Sequence, residues 1–214
     1  MIRWYNFFRL AFNALRNWWG DWWNQVMMNI VWFLSILTVI LAPPAIFAMY
    51  QQNKQVAEGS TSSAREMFKS YRSLFVISWL WMLTNLAVYF VLYTAFGFYG
   101  SSSTAWGFWG VIVVVIITLM WLMLQLYTVP VLMWQDEMSL KLAWKNAAVL
   151  LLQAPLFSII FLLFTVIIWI ISAISGALMV FGGISLTSVL GCQVVYGRLQ
   201  ALMPEDKNNE STTD

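Results

Sequence analysis

Long runs without charged residues dominate the chain and predict membrane-spanning helices. Three such runs stand out: Trp22–Asn53 with 32 residues, Ser73–Gln135 with 63 and Asn146–Gly197 with 52. A bilayer-crossing helix needs about 20 apolar residues, and charged side chains are costly at the bilayer centre. The first run therefore holds one crossing, and each longer run holds two. We predict five transmembrane helices, at residues 27–50, 74–99, 106–134, 149–171 and 177–197.

Turn-forming residues divide the two longer runs. Gly100–Thr104 separates the second span from the third, because glycine and serine clusters are typical of turns. The fourth and fifth spans divide near Ser172–Gly176, with Phe181–Gly183 as an alternative. Backbone groups in lipid must be paired within the chain, and the segments lack the alternation of outer-membrane strands, so helices are expected. The prediction is an all-α integral membrane protein with one domain over residues 1–203 and a disordered polar tail at 204–214.

The basic residues orient these spans. With five spans, eight Lys and Arg residues fall on one side, and Arg3, Arg9 and Arg16 fall on the other. The positive-inside rule then favours an N-terminus outside and a C-terminus in the cytoplasm. Pro43 and Pro44 interrupt the first span, and proline removes backbone donors from a helix. If Met27–Tyr50 re-enters at these prolines, both chain ends are cytoplasmic instead.

The N-terminal segment, residues 2–20, predicts an amphipathic helix lying in the membrane interface. Its polar positions form one arc: Arg3, Asn6, Arg9, Asn13, Arg16 and Asn17. Phe8, Phe12, Leu15 and Trp19 fill much of the other side, as in interfacial helices. An aromatic cluster follows at the predicted boundary, formed by Trp18, Trp19, Asp21, Trp22 and Trp23. It fits an aromatic belt or, alternatively, a sugar-stacking platform in which Asp21 accepts hydroxyl hydrogen bonds.

Two amphipathic segments between the spans are predicted docking surfaces. One covers residues 64–73, with Ser62 or Ser63 as its cap, and the other covers residues 137–148. Their exposed candidates for partner contact are Lys69, Arg72, Lys141, Trp144 and Lys145. Each segment follows a proline-containing span end and leads into another span, so we predict a two-hairpin internal repeat with the fifth span appended.

Each predicted span carries one carboxamide. The residues are Asn29, Asn85, Gln125, Gln153 and Gln193. Asn85, Gln125, Gln153 and Gln193 form a candidate polar interior that could hold a hydroxylated or amide ligand, but hydrogen bonds between helices are the favoured explanation. Gly183, Thr187 and Gly191 recur every fourth residue, which favours close internal helix packing over oligomerisation.

Composition narrows the classes of function. Of the 214 residues, 61% are hydrophobic and 9% are charged, against about 25% charged in ordinary soluble domains. The net charge of +2 and the absence of a basic cluster argue against nucleic acid. The chain has no histidine and one cysteine, Cys192, so a Ser-His-Asp triad is excluded. We expect no cofactor, no metal and no enzymatic activity.

Several short motifs resemble the YesL-like family of bacterial polytopic membrane proteins of unknown function. They are the Asn24–Trp32 opening of the first span, Pro44-Ala45 with Tyr50, Phe68–Arg72, Trp144–Ala147 and the Cys192–Leu199 end. Pro43-Pro44 stands where the family usually has Gly-Pro. The resemblance covers about residues 18–203 and implies a multi-pass protein of the bacterial cytoplasmic membrane, often associated with carbohydrate uptake. It supplies no catalytic residues.

The leading functional prediction is a membrane accessory subunit associated with carbohydrate uptake or sensing, with the lipid bilayer and a membrane protein or a second copy as partners. One alternative is a small-solute or lipid transporter that uses the carboxamides. Another is a structural subunit of a larger energy-converting membrane complex.

Overall fold

The computed structural model describes residues 6–176, 180 and 182–202, and these residues are almost entirely helical. The helices in these ranges are α1 Asn6–Gly20, α2 Trp22–Leu37, α3 Ala42–Ala57, α4 Ala64–Gly100, α5 Ala105–Met133, α6 Leu140–Gln153, α7 Pro155–Ser175 and α8 Gly183–Gln200. Three of them, α4, α5 and α7, are long and apolar enough to cross a bilayer. The helical class is therefore confirmed, three helices are compatible with a membrane crossing, and the five predicted crossings are not confirmed.

Helices α4 and α5 form the long hairpin predicted around Gly100–Thr104. Thr104 caps α5 by accepting a hydrogen bond from the Gly107 backbone N–H over 3.4 Å. At the other end, Ser63 caps α4 by accepting from the Glu66 N–H over 3.5 Å, as side-chain oxygens do at helix starts. The amphipathic segment 64–73 and the second predicted span are one continuous helix.

The prediction of a single helix over Met27–Tyr50 is wrong. The segment forms α2 and α3, separated at Thr38–Leu41, where Val39 has a positive φ of 58°. Pro43 and Pro44 lie in the first turn of α3, where proline's missing N–H costs no intrahelical bond. The backbone N–H of Ser62, just after α3, donates to the carboxylate of Asp21, just before α2, over 2.9 Å. Because these ends meet, α2 and α3 are antiparallel, which matches the re-entrant alternative.

The fourth and fifth spans also differ from the prediction. Residues 149–171 are not one helix, because α6 ends at Gln153 and α7 begins at Pro155. Helix α7 ends at Ser175, and Gly176 adopts a positive φ of 56°, which agrees with the predicted turn at Ser172–Gly176. Residues 177–179 and 181 lie outside the described ranges, as do residues 2–5 and the predicted disordered tail at 204–214.

Helix α8 occupies the middle of the protein. It is buried on every side, which explains its mixed composition, since it faces other helices instead of lipid. Gly191 packs against Tyr50 of α3 and Pro130 of α5, so the small-residue stripe serves internal packing, as predicted. Helix α1 lies beside α8, with Phe7 among the rings of Phe157, Phe161 and Phe164.

The predicted interfacial helix is therefore partly a core element. Its inner side is buried through Phe7, Ala11 and Ala14, while Phe8, Phe12, Leu15 and Trp19 are exposed. The halves of the predicted internal repeat differ as well. Helix α4 continues from its amphipathic start into its apolar part, whereas α6 ends at Gln153 before α7 begins.

Candidate functional site

A buried polar face runs along α2. Asp21, Gln25 and Asn29 recur every fourth residue, so they lie on one side of the helix. Asp21 is 8% exposed, and Gln25 and Asn29 are fully buried. Burying a polar group without a hydrogen-bond partner costs free energy. The partners of these three side chains therefore indicate the role of this face.

The Asp21 carboxylate binds the loop between α3 and α4. It accepts hydrogen bonds from the backbone N–H and the hydroxyl of Ser62, and from Asn24 Nδ2 at 2.6 Å. No ion pair involves Asp21 in the part of the chain that the structure describes. Hydrogen bonds to a charged acceptor are stronger than those between neutral groups. Here they stabilise the Asp21 carboxylate in place of an ion pair.

The next residues connect α2 to α3 and α8. Gln25 Nε2 donates to Asn53 Oδ1 over 2.8 Å, and Asn53 Nδ2 donates to the Ser188 hydroxyl. Asn29 Oδ1 accepts from the Ser185 backbone N–H at 3.1 Å. We call Asp21, Gln25, Asn29, Asn53, Ser62, Ser185 and Ser188 the polar network. It fastens the α2–α3 hairpin to the central helix.

The predicted aromatic cluster divides between this network and the surface. Trp18 Nε1 donates to the Ser185 hydroxyl over 3.0 Å, so Trp18 joins the interior. Trp19, Trp22 and Trp23 are 70%, 51% and 58% exposed. Because the carboxylate of Asp21 is turned inward and bound to Ser62, it is not presented to a sugar stacked on these indoles. The exposed tryptophans fit the aromatic-belt interpretation.

The four residues of the candidate polar interior lie in different surroundings. Asn85 Oδ1 accepts from Trp121 Nε1 at 3.0 Å, and Gln125 Oε1 accepts from Trp81 Nε1 at 2.8 Å. These two pairs fasten α4 to α5. Gln193 accepts from Asn17 Nδ2 at 3.2 Å, between α8 and α1.

Gln153 differs from the other three carboxamides because it is exposed at the end of α6. Three of the four therefore accept hydrogen bonds between helices, and the fourth faces outward.

The predicted docking residues lie at the starts of α4 and α6. Lys69, Arg72, Lys141 and Lys145 are exposed, whereas Trp144 is half-buried and its ring centroid lies 6.3 Å from that of Trp121. A groove of about 360 Å³ lies between the third to fifth turns of α4 and the chain entering α6. It is lined by Ser73, Val76, Ile77, Leu80, Met138 and Leu140. We call Lys69, Arg72, Lys141 and Lys145 the basic rim.

One residue in the interior was not predicted from sequence. Arg198 is fully buried, although its position after the last apolar run suggested a place in the cytoplasmic tail. Its Nη1 donates to the Tyr127 hydroxyl over 3.3 Å, and its guanidinium carbon lies 5.5 Å and 5.3 Å from the ring centroids of Tyr127 and Phe157. Beside it is a cleft of about 410 Å³ between α1 and α8, lined by Asn6, Arg9, Leu10, Asn13, Gln193, Gly197, Arg198, Gln200 and Ala201.

The described ranges hold no group of three or more Cys, Asp or Glu side chains placed to share a metal ion. Comparisons of the chain with protein-family models, with curated proteins and with solved structures find no match. The resemblance to the YesL-like family stays a prediction.

Proposed function

We propose that the protein is a non-enzymatic accessory subunit of the membrane that binds a partner protein through the basic rim. The observation that carries this proposal is the placement of the rim. Four exposed cations lie in the first turns of α4 and α6, and one groove joins residues 73–80 of α4 to Met138 and Leu140. In the described part of the chain, only Lys69 among them has an ion pair, with Glu66 at 2.6 Å.

The membrane arrangement that supports this proposal begins with the α4–α5 hairpin. Trp81 and Tyr99 are 18 residues apart on α4, which is about 27 Å at 1.5 Å per residue. This length matches a hydrocarbon core of about 30 Å, and the exposed Tyr99 fits the aromatic belt at its far boundary. Within this length, both helices of the hairpin expose large apolar side chains, including Leu86 and Phe90 on α4 and Ile116 on α5. We place this part in lipid and the Gly100–Thr104 turn on the far side.

We infer that the start of α2, the end of α3 and the end of α8 lie with the basic rim at the opposite end of the hairpin. Because Asp21 contacts Ser62, the α2–α3 hairpin returns to the side from which it starts. Arg198, near the end of α8, contacts Tyr127 in the last third of α5. By the positive-inside rule, the side with the basic rim is cytoplasmic. In this arrangement Met27–Tyr50 re-enters the membrane without crossing it, and the N-terminus is cytoplasmic instead of outside.

The transport alternative has weaker support. A solute path needs polar groups that face an open passage, but the carboxamides of Asn85 and Gln125 are bonded to tryptophans, and the polar network is bonded within itself. The association with carbohydrate uptake rests on the family resemblance alone and stays a prediction.

Gentle solubilisation followed by native mass spectrometry tests the proposal. The wild-type chain is expected to carry the mass of a partner protein. Reversing the rim with Lys69→Glu, Arg72→Glu, Lys141→Glu and Lys145→Glu should remove that mass while the helical content stays unchanged. Arg16→Glu reverses an exposed cation on α1 and is expected to keep the partner. Recovery of the wild-type chain without any partner, or equal retention by the rim variant, contradicts the proposal.

A further inference from the structure

We propose that the cleft between α1 and α8 binds a phosphate-type anion through the guanidinium groups of Arg198 and Arg9. This inference does not depend on the proposed docking function, because the basic rim belongs to α4 and α6. It begins from the unusual surroundings of Arg198.

The guanidinium of Arg198 is fully buried, and no carboxylate of the described residues pairs with it. Two aromatic faces, Tyr127 and Phe157, lie beside it, and such faces attract a cation. They do not accept its in-plane N–H bonds. Among the residues that the structure describes, Nη1 donates to the Tyr127 hydroxyl, whereas Nε and Nη2 find no partner. No ion pair of Arg198 occurs in the described ranges.

Burial of these donors needs an explanation. Arg198 lies in the last turn of α8, where the helix dipole favours a positive charge. The dipole acts on the charge but provides no acceptor for Nε and Nη2. Leaving donors of a charged group unsatisfied costs more than leaving neutral ones. An acceptor with two oxygens placed beside the guanidinium would satisfy both.

The cleft next to Arg198 supplies room and further donors. Its volume of about 410 Å³ is within the range of small-molecule sites. Arg9 adds a second cation at its edge, and four carboxamides line it: Asn6, Asn13, Gln193 and Gln200. No carboxylate is among these lining residues. The lining therefore favours a negative ligand.

Phosphate fits this lining through its geometry. Arginine binds phosphate with two parallel hydrogen bonds, and amide N–H groups can donate to the remaining oxygens. Two chemical sources provide the same group: the headgroup of an anionic phospholipid and free inorganic phosphate. The bound anion would join α1 to α8 across the cleft.

Thermal unfolding of the delipidated full chain in non-ionic detergent tests the site. The probes are short-chain phosphatidylglycerol, short-chain phosphatidylcholine and inorganic phosphate, each titrated at constant ionic strength. Phosphatidylglycerol or phosphate should raise Tm in a saturable manner, because a ligand of the folded state stabilises it. Phosphatidylcholine should not. A response to phosphatidylglycerol alone identifies a lipid headgroup, and a response to phosphate identifies the free anion.

Two variants of exposed α1 residues locate the effect. Arg9→Gln removes a cation that lines the cleft and should weaken binding about 10-fold or more, as expected when a charged hydrogen bond is lost. Arg16→Gln removes a cation outside the cleft and should bind like the wild type. Arg198→Gln should abolish binding. If the Arg198→Gln variant does not fold, the comparison of Arg9→Gln with Arg16→Gln still tests the site. No response to either anion, an equal response to phosphatidylcholine, or equal effects of Arg9→Gln and Arg16→Gln overturns the proposal.

Discussion

Asp21 and Ser62 are 41 positions apart, yet the Ser62 backbone N–H donates to the Asp21 carboxylate over 2.9 Å, and the Ser62 hydroxyl donates to the same oxygen. This contact joins the start of α2 to the end of the loop after α3. The two ends of a long apolar segment therefore meet. The segment folds back on itself, and its polar face fastens it to α8.

Asp21→Ala is expected to lower the free energy of unfolding by about 3 kcal/mol, because removing a buried charged acceptor leaves several donors unpaired. The affected donors are on Ser62 and Asn24. Chemical unfolding in detergent micelles, followed by circular dichroism, measures the change. Asp136→Ala removes an exposed carboxylate and should change stability by less than about 0.5 kcal/mol. Equal stabilities of the two variants would show that the Asp21 contact is unimportant.

Val39→Gly is expected to stabilise the protein. Val39 has φ of 58° and is 69% exposed, so the substitution relieves backbone strain and loses little packing. A β-branched residue at positive φ costs about 1–3 kcal/mol, partly offset by glycine's greater entropy loss of about 0.5–1 kcal/mol. A gain of about 1 kcal/mol should appear as a higher Tm. Ile40→Gly is the control, since only Val39 among the described non-glycine residues has positive φ. If Val39→Gly lowers Tm as much as Ile40→Gly does, the backbone at Val39 is not strained.

Gly107→Ala and Gly97→Ala test the close approach in the α4–α5 hairpin. A Cβ at Gly107 would lie 2.7 Å from the Ser102 backbone oxygen and 2.8 Å from that of Tyr99, whereas a Cβ at Gly97 would meet nothing within 4 Å. Backbone atoms cannot move aside cheaply, so Gly107→Ala should destabilise the hairpin by about 1–3 kcal/mol. Gly97→Ala should be neutral or stabilising by up to about 1 kcal/mol. Thermal unfolding in micelles distinguishes them, and the reverse order would disprove the predicted packing.

Proline shows why the helix boundaries were only partly predictable. Pro130 lies inside α5, Pro155 begins α7, and Pro43 with Pro44 lies in the first turn of α3. Proline is tolerated at a helix start and disfavoured in the interior, but tertiary packing decides which case applies. The turn at Gly100–Thr104 was predictable because a whole cluster of turn-forming residues marks it.

Part of the candidate site was also predictable from the sequence. The four-residue spacing of Asp21, Gln25 and Asn29 is a helical signal that indicates one polar face. Its partners Asn53 and Ser185 come from distant segments, so only the folded chain brings them together. Burial of Arg198 was not predictable, because an arginine after an apolar run usually marks a membrane boundary.

We propose that the α4–α5 hairpin crosses the bilayer with the basic rim at one end and its turn at the other. Single cysteines in a Cys192→Ser background test it most directly, with a membrane-impermeant maleimide applied to intact cells and to permeabilised ones. The native Cys192 is fully buried, and Lys69, Ser102 and Lys145 are exposed.

We expect Ser102→Cys to be labelled in intact cells, and Lys69→Cys and Lys145→Cys to be labelled only after permeabilisation. Labelling of Lys69→Cys and Lys145→Cys from opposite sides, or of Ser102→Cys from the same side as Lys69→Cys, would contradict the account.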